Sequence, residues 1–236
     1  MRTSIYLDFL SKFGIGGAHP GGIKLTKEIL ENEKINQFSR ILDVGCGTGQ
    51  TAAYLAARFG AKVTGVDINP TMIEKAKDRM VKYHLPVEII QGSIENCPLP
   101  DQHYDFILSE SVLSFVNKDK ALKEIFRLLK PDGRFIANEL TMNRRPGLNG
   151  EEEMKQFYGV DSLFMEKDWI SLFEQTGFRK IKTLLSKPSI NQNHSMTEFQ
   201  FSEYIKPELY GIMFQHFNLM GKYQGTLDYR VFLCAK

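Results

Sequence analysis

The run Asp43-Val44-Gly45-Cys46-Gly47-Thr48-Gly49 constrains this chain more than any other stretch. Three alternating glycines let the backbone turn sharply out of a strand and approach a ligand without Cβ clashes. The helix that follows offers free amides to polar groups at its start. Arg40–Val44 reads as the strand entering the turn and Gln50–Phe59 as the helix leaving it, stopped by Gly60. Ala53, Ala56 and Ala57 are small enough to pack that helix closely on a sheet. A second strand, Ala61–Asp67, ends in an acid placed to accept both hydroxyls of a ribose. Asn69-Pro70 supplies an N-cap and first helical residue, so Asp67 is free of capping duty.

The alternation continues, which predicts βαβ units and a mainly parallel sheet. Further strands are expected at Val87–Gln91, Tyr104–Ser109 and Arg134–Glu139, the last after a turn at Pro131-Asp132-Gly133. Leu122, Ile125, Phe126 and Leu129 keep helical spacing, with the start at Asn117 or Lys118. A helix over Asp168–Thr176 leads to strands at Phe178–Leu185 and Asp228–Ala235. Two regions break the pattern. Residues 1–39 hold two expected helices around Gly14–Gly22, and Ser186–Leu227 carries a helix near Pro207–Met220. A connection that long usually has a task, and both regions are expected to form a helical cap.

The spacing also excludes. A dinucleotide fingerprint would place its third glycine at position 50, where this chain has Gln50, and no Lys follows the glycines as in a phosphate loop. A formal net charge of +2 with dispersed Lys and Arg gives no footprint for nucleic acid. No window reaches the roughly 18 apolar residues of a membrane span. No signal peptide is read at the N-terminus, and three scattered cysteines, Cys46, Cys97 and Cys234, suit a reducing, cytoplasmic setting without metal-ligand spacing. The 236 residues suit one domain: a cap (1–39), a cofactor-binding half (40–140) and a substrate-side half (141–236) with the insert 186–227.

Ile41–Gly49 resembles the first motif of the class I S-adenosylmethionine-dependent methyltransferases. Val66–Ile73, Phe106–Ser109 and Leu128–Arg134 resemble the later motifs of that family, in family order. The closest subgroup by resemblance is the small-molecule enzymes similar to those of quinone biosynthesis. The resemblance implies an α/β fold: a doubly wound, mainly parallel seven-stranded Rossmann-like sheet whose last pair is antiparallel. It implies S-adenosyl-L-methionine as cofactor and S-adenosyl-L-homocysteine as product. Gly45, Gly47 and Gly49 would lie along the methionine part, with Asp43 supporting the loop. Cys46 is counted with them, its side chain read as inert packing. Asp67 would take the ribose, Ile68 the adenine face, Ser93 and Ile94 the adenine edge, and Ser109 the amino group through its carbonyl. The family commonly has Asp where this chain has Ser93, so rearranged adenine contacts are expected.

Methyl transfer from a sulfonium is an in-line displacement, and positioning alone can supply about 7–11 kcal/mol. No triad is needed. His19 in His-Pro-Gly-Gly, Glu110 after the fourth strand and Glu139 at the end of the fifth are the candidate catalytic residues; no metal is expected. Tyr6, Tyr204, Tyr210, His216 and the insert's Phe199, Phe201, Met213, Phe214, Phe217 and Met220 are candidates for an apolar acceptor pocket, a dimer contact or plain packing. The acceptor is expected to be a small molecule, by O-, N-, C- or S-methylation, with monomer and homodimer both open. Nucleic-acid and arginine methylation fit less well, since Ser109-Glu110-Ser111-Val112 lacks the adenine-methylating signature and residues 111–118 contain no second Glu. A dehydrogenase is disfavoured by Gln50, and an idle binding module by the intact glycines and acid.

Overall fold

The computed structural model describes residues 4–185 and 198–236. In chain order the elements are α1 Ile5–Phe13, β1 Ile15–Gly16, α2 Gly22–Leu30, β2 Arg40–Val44, α3 Gln50–Phe59, β3 Lys62–Asp67, α4 Pro70–Lys82, β4 Glu88–Gln91 and β5 Tyr104–Glu110. There follow α5 Lys118–Leu128, β6 Leu129–Met142, α6 Leu148–Tyr158, α7 Glu166–Thr176, β7 Arg179–Leu185, β8 Glu198–Phe199, α8 Tyr210–Lys222 and β9 Leu227–Ala235. Seven strands make one sheet in the order β4-β3-β2-β5-β6-β9-β7, and β1 pairs with β8 in a separate two-stranded sheet. Only β9 runs against its neighbours in the large sheet. The expected doubly wound α/β architecture is therefore present. The winding reverses between β2 and β5, and ligands of such sheets bind in the crevice beyond the strand ends at that reversal.

Local chemistry accounts for the boundaries. Gly60 closes α3 in the left-handed conformation, its N–H bonding the Ala56 carbonyl. Asn69 caps α4, its side chain accepting from the Thr71 and Met72 amides with Pro70 at the first helical position. Asn117 caps α5 by accepting from Lys120 N. On α3 the residues that pack are Ala52, Ala53 and Ala56; Ala57 faces outward, a correction to the expected set. β6 is much longer than Arg134–Glu139. It runs through Pro131-Asp132-Gly133 because a register shift against β5 between Tyr104 and Phe106 absorbs the turn residues. The helix α6 had no sequence signal; its mostly polar turns bury only Gly150, Met154 and Tyr158.

One face of the sheet packs on α5 and α7 around Trp169, Phe173, Phe135 and Phe232. The other packs on α2, α3 and α4 around Leu30, Leu55, Met80 and Ile136. A third apolar cluster joins α1, α6 and α8 through Tyr6, Phe9, Met154, Tyr158, Ile212 and Leu219, and meets the sheet at Met142 of β6 and Leu227 of β9. This third cluster is the helical cap. The first part of the insert, 186–197, lies outside the described residues.

Candidate active site

The turn after β2 is anchored to β3: the amides of Gly45 and Cys46 both donate to the Val66 carbonyl, at 2.7 and 3.1 Å. Gly49 N donates to Cys46 O at 2.8 Å, which tightens the entry to α3. Gly47 and Gly49 are both left-handed, with φ of 53° and 73°. A Cβ on Gly49 would strike Met80 and Ala76, whereas one on Gly47 would project into open space at the cavity wall. Gly49 is thus needed for packing and Gly47 leaves an open cradle.

Asp67 closes that cradle. Its Oδ2 accepts from Gly47 N at 2.9 Å and its Oδ1 from Asn69 N at 2.8 Å. Burial raises its pKa despite these donors. The carboxylate therefore braces the glycine turn as well as facing the cavity, a second duty the sequence did not reveal. Asp43 lies beneath, buried, with Oδ2 lacking any partner among the described residues. Burial first, then the negative Glu110 and Asp67, push its pKa well above the carboxylate range. Cys46 packs against Gly65, and burial and Asp43 push its thiol upward. Ile68 is an apolar side chain left 42% exposed on the cavity wall, and Ser93 and Ile94 line the wall near it. Ser93 Oγ also accepts from Glu95 N at 3.2 Å, so its hydroxyl is partly committed to its own turn.

The orphaned Asp43 oxygen, the open cradle at Gly47 and the uncovered Ile68 fit a cationic amino-acid nucleoside: acids and free amides for its polar end, an apolar ledge for a base. Gly49 and Ser109 sit behind the wall rather than in it. Ser109 Oγ donates to Glu139 Oε1 at 3.1 Å.

Beside the turn, Glu110 at the end of β5 is gripped from two helices. Thr26 Oγ1 of α2 donates to its Oε1 at 2.5 Å and Thr51 Oγ1 of α3 to its Oε2 at 2.8 Å. His19 Nε2 lies 3.5 Å from Glu110 Oε2. Asn138 Nδ2 of β6 donates to Pro20 O at 2.9 Å and stands 3.2 Å from His19 Nδ1. His19 Nδ1 also lies 3.3 Å from Pro20 O, and Nε2 3.4 Å from Thr26 Oγ1, so both ring nitrogens have polar neighbours. The structure thus brings His19 and Glu110 together, with Thr26, Thr51 and Asn138 as partners that sequence reading missed.

Glu139 does not join them. It is fully buried outside the cavity wall, where Oε1 accepts from Val112 N at 3.2 Å and Leu113 N at 3.1 Å and Oε2 from Ser114 Oγ at 3.4 Å. Burial pushes its pKa up to about 7 against these donors and Lys118. It holds the chain leaving β5.

A single cavity of about 1110 Å³ runs from Asp43, Gly47 and Asp67 past His19 and Glu110 to the cap. Its far wall is aromatic. The Tyr6 ring stands 5.1 Å from Tyr158, edge-on, and 6.5 Å from Phe115, stacked. Tyr158 Oη and His216 Nδ1 are 3.3 Å apart. Burial lowers the His216 pKa, favouring the neutral ring. Met213, Phe217, Met220 and Phe199 also line the cavity, while Phe201, Tyr204, Tyr210 and Phe214 do not. Tyr158, on the unanticipated α6, had no signal in the sequence. Among the described residues no cluster could hold a metal ion, and no helix is long and apolar enough to cross a membrane.

Comparison with known proteins agrees with this geometry. Residues 42–137 match the methyltransferase domain family. Over 233 residues the chain is 37% identical to the uncharacterized methyltransferase YodH of Bacillus subtilis (strain 168), covering 99% of this chain and 100% of that protein. Phosphoethanolamine N-methyltransferase 1 of Arabidopsis thaliana is 29% identical over 66% of this chain and 32% of its own length. Among solved structures, Haemonchus contortus phosphoethanolamine N-methyltransferase 2, in complex with S-adenosyl-L-methionine, shares the fold with a TM-score of 0.77. Its identity is 20%, over 98% of this chain and 56% of that one. The glycine turn, the acid after β3 and the full-length match together place this chain in the class I S-adenosylmethionine-dependent methyltransferases.

Proposed function

We propose that this enzyme methylates a small, largely apolar acceptor held between the glycine turn and the helical cap. The observation that carries the reading is the division of one cavity into an acidic half and an aromatic half. At about 1110 Å³ it exceeds the roughly 300–1,000 Å³ of an ordinary ligand site and suits two small molecules together.

Asp43, Asp67 and Glu110 give the donor half carboxyl oxygens able to accept from an ammonium and from ribose hydroxyls, with one Asp43 oxygen still without a partner among the described residues. When bound, the donor supplies an electrophilic methyl group with a neutral thioether as leaving group. Gly45, Cys46 and Gly47 would follow the methionine portion, Asp67 the ribose, and Ile68, Ser93 and Ile94 the adenine. Gly49 and Ser109 would act from behind, the first by packing the turn and the second through its backbone. Thr26, Thr51 and His19 fix the Glu110 carboxylate, and the His19 ring, only 5% exposed, lines the cavity where the two halves meet. Glu139 acts at a distance by shaping residues 112–114.

In the acceptor half, Tyr6, Phe115 and Phe217 present ring surface to an apolar body. The Tyr158–His216 pair provides its polar anchor, and the neutral imidazole can take a proton from an acidic acceptor. Lys206 is the sole Lys or Arg in the cavity wall among the described residues, against Asp8, Asp43, Asp67, Glu110 and Glu208. That balance disfavours a phosphorylated acceptor such as those named in the phosphoethanolamine enzymes, and also a nucleic acid. A neutral ring compound, quinone-like or phenolic, fits it better.

The test is release of S-adenosylhomocysteine across a metabolite panel. Turnover with neutral aromatic acceptors is expected. Turnover confined to phosphorylated amines would overturn the proposal.

A further inference from the structure

The acceptor-side cap and the cofactor turn meet at one ion pair, between a buried arginine and a glutamate whose side chain is 34% exposed. Arg79 of α4 is 5% exposed. Its Nε donates to the Thr48 carbonyl at 2.7 Å, inside the glycine turn, and its Nη2 stands 3.4 Å from Thr48 Oγ1. The same Nη2 meets Glu198 Oε2 of β8 at 2.9 Å. Gln50, the first residue of α3, donates from Nε2 to that same carboxylate oxygen at 3.0 Å. Glu198 is therefore the counter-ion of a buried guanidinium whose other task is to hold the turn.

The backbone around Glu198 is docked just as specifically. Gly16 pairs with Glu198 and Ile15 with Phe199. Beyond the strand, Gln200 N donates to Phe13 O and Gly14 O at 3.1 and 3.0 Å, and Ser202 N to Lys12 O at 2.9 Å. Lys75 Nζ of α4 donates to Gln200 O. A Cβ on Gly16 or Gly17 would press on the Gln50 side chain, at 3.2 and 2.9 Å from its Oε1, so the two glycines make room for Gln50 to reach the strand. Next to Thr48, Gly47 is held by Asp67. The turn is thus clamped by Asp67 on one side and by Arg79 with Glu198 on the other.

We infer that Glu198 is a positioning residue that couples docking of the 198–202 segment to the shape of the cofactor turn. Removing its charge leaves Arg79 buried without a counter-ion, the costly way to break such a pair, and frees Thr48 from a fixed guanidinium. Coupling of two sites is reciprocal. Cofactor binding therefore tightens the strand against α1, and a docked strand tightens cofactor binding. The apolar half of the cavity, which includes Phe199, is completed when the turn is filled. This goes beyond the acceptor class proposed above and does not depend on it.

The experiment uses S-adenosylhomocysteine as probe and no acceptor. Calorimetry on Glu198→Gln, which keeps size and loses charge, is expected to give a Kd about tenfold weaker than the parent. In the parent, the probe is expected to slow amide exchange of Gln200 and Ser202 by about the same factor. In the variant that slowing falls below about twofold, while the β5 amides of Ile107 and Leu108 exchange at the parent rate. A variant that binds within about twofold of the parent, or whose strand is protected equally, overturns the coupling. Should the variant fail to fold, the parent decides alone: unchanged Gln200 and Ser202 exchange on adding the probe refutes it.

Discussion

Replacing Glu139 with glutamine removes a charge from one of the driest positions in the sheet. Four donors converge on its carboxyl: Ser109 Oγ, Val112 N, Leu113 N and Ser114 Oγ. They favour the ionised form, burial favours the neutral one, and burial prevails, so the pKa rises from 4.5 to about 7. Below pH 4.5 the group is protonated whether the chain is folded or not. As pH rises, the unfolded chain releases its proton first and the folded one retains it until about pH 7. Stability is therefore full at low pH, falls between the two values and levels off above the higher. The interval of 7 − 4.5 = 2.5 corresponds to about 3 kcal/mol. Glutamine fixes the neutral form. Its oxygen can still accept from Val112 and Leu113, and its NH₂ can donate to Ser114 once that hydroxyl rotates. Glu139→Gln should match the parent within about 1 kcal/mol at pH 5 and exceed it by about 2–3 kcal/mol at pH 8. Urea unfolding in pH steps, with the m-value held constant, measures this. A difference between the two proteins that does not change with pH, or a variant less stable at pH 8, would refute the reasoning.

Asp67→Ala removes the brace on Gly47 and the proposed ribose acceptor; calorimetry should find cofactor affinity lowered tenfold or more, and unchanged binding would count against the assignment. His19→Ala should lower turnover more than cofactor affinity, because the ring lines the cavity where the proposed donor and acceptor halves meet and contacts Glu110; an unaltered rate would reduce it to loop structure. Asn69→Ala strips two amides of their cap at the start of α4 and should cost about 1 kcal/mol in thermal or urea unfolding, with no change in spectrum beyond that.

What could be read in advance followed from local chemistry. The Gln50–Phe59 helix with its Gly60 stop and the Asn69-Pro70 start depend on residues a few positions apart, so the sequence spells them out. The glycine turn and Asp67 were legible for the same reason. Ala52 and Ala57 exchanged places because helical phase near a turn is set by how α3 lies on the sheet. β6 outran its expected bounds because Pro131-Asp132-Gly133 is turn-like locally, while pairing with β5 overrides it. α6 was missed because three consecutive acids, Glu151–Glu153, leave little apolar period to see. The grip on Glu110 by Thr26 and Thr51, and that of Arg79 on Glu198, join residues far apart in the chain. Ordinary threonines and an arginine carry no local mark of such partnerships. The same holds for Glu139, whose place after a strand suggested chemistry while its donors make it a brace.

The cluster of α1, α6 and α8 has a consequence for how such an enzyme can diversify. The aromatic wall of the cavity draws its rings mostly from helices whose cluster meets the sheet at the end of β6 and the start of β9, while two other clusters bury the sheet's faces. On the proposed reading, substitutions at Tyr6, Tyr158 or Phe217 reshape what the enzyme accepts while the strands that present the glycine turn stay as they are. Acceptor choice and methyl-donor binding then rest largely on different parts of one chain, so the first can be altered by substitution with little disturbance of the second.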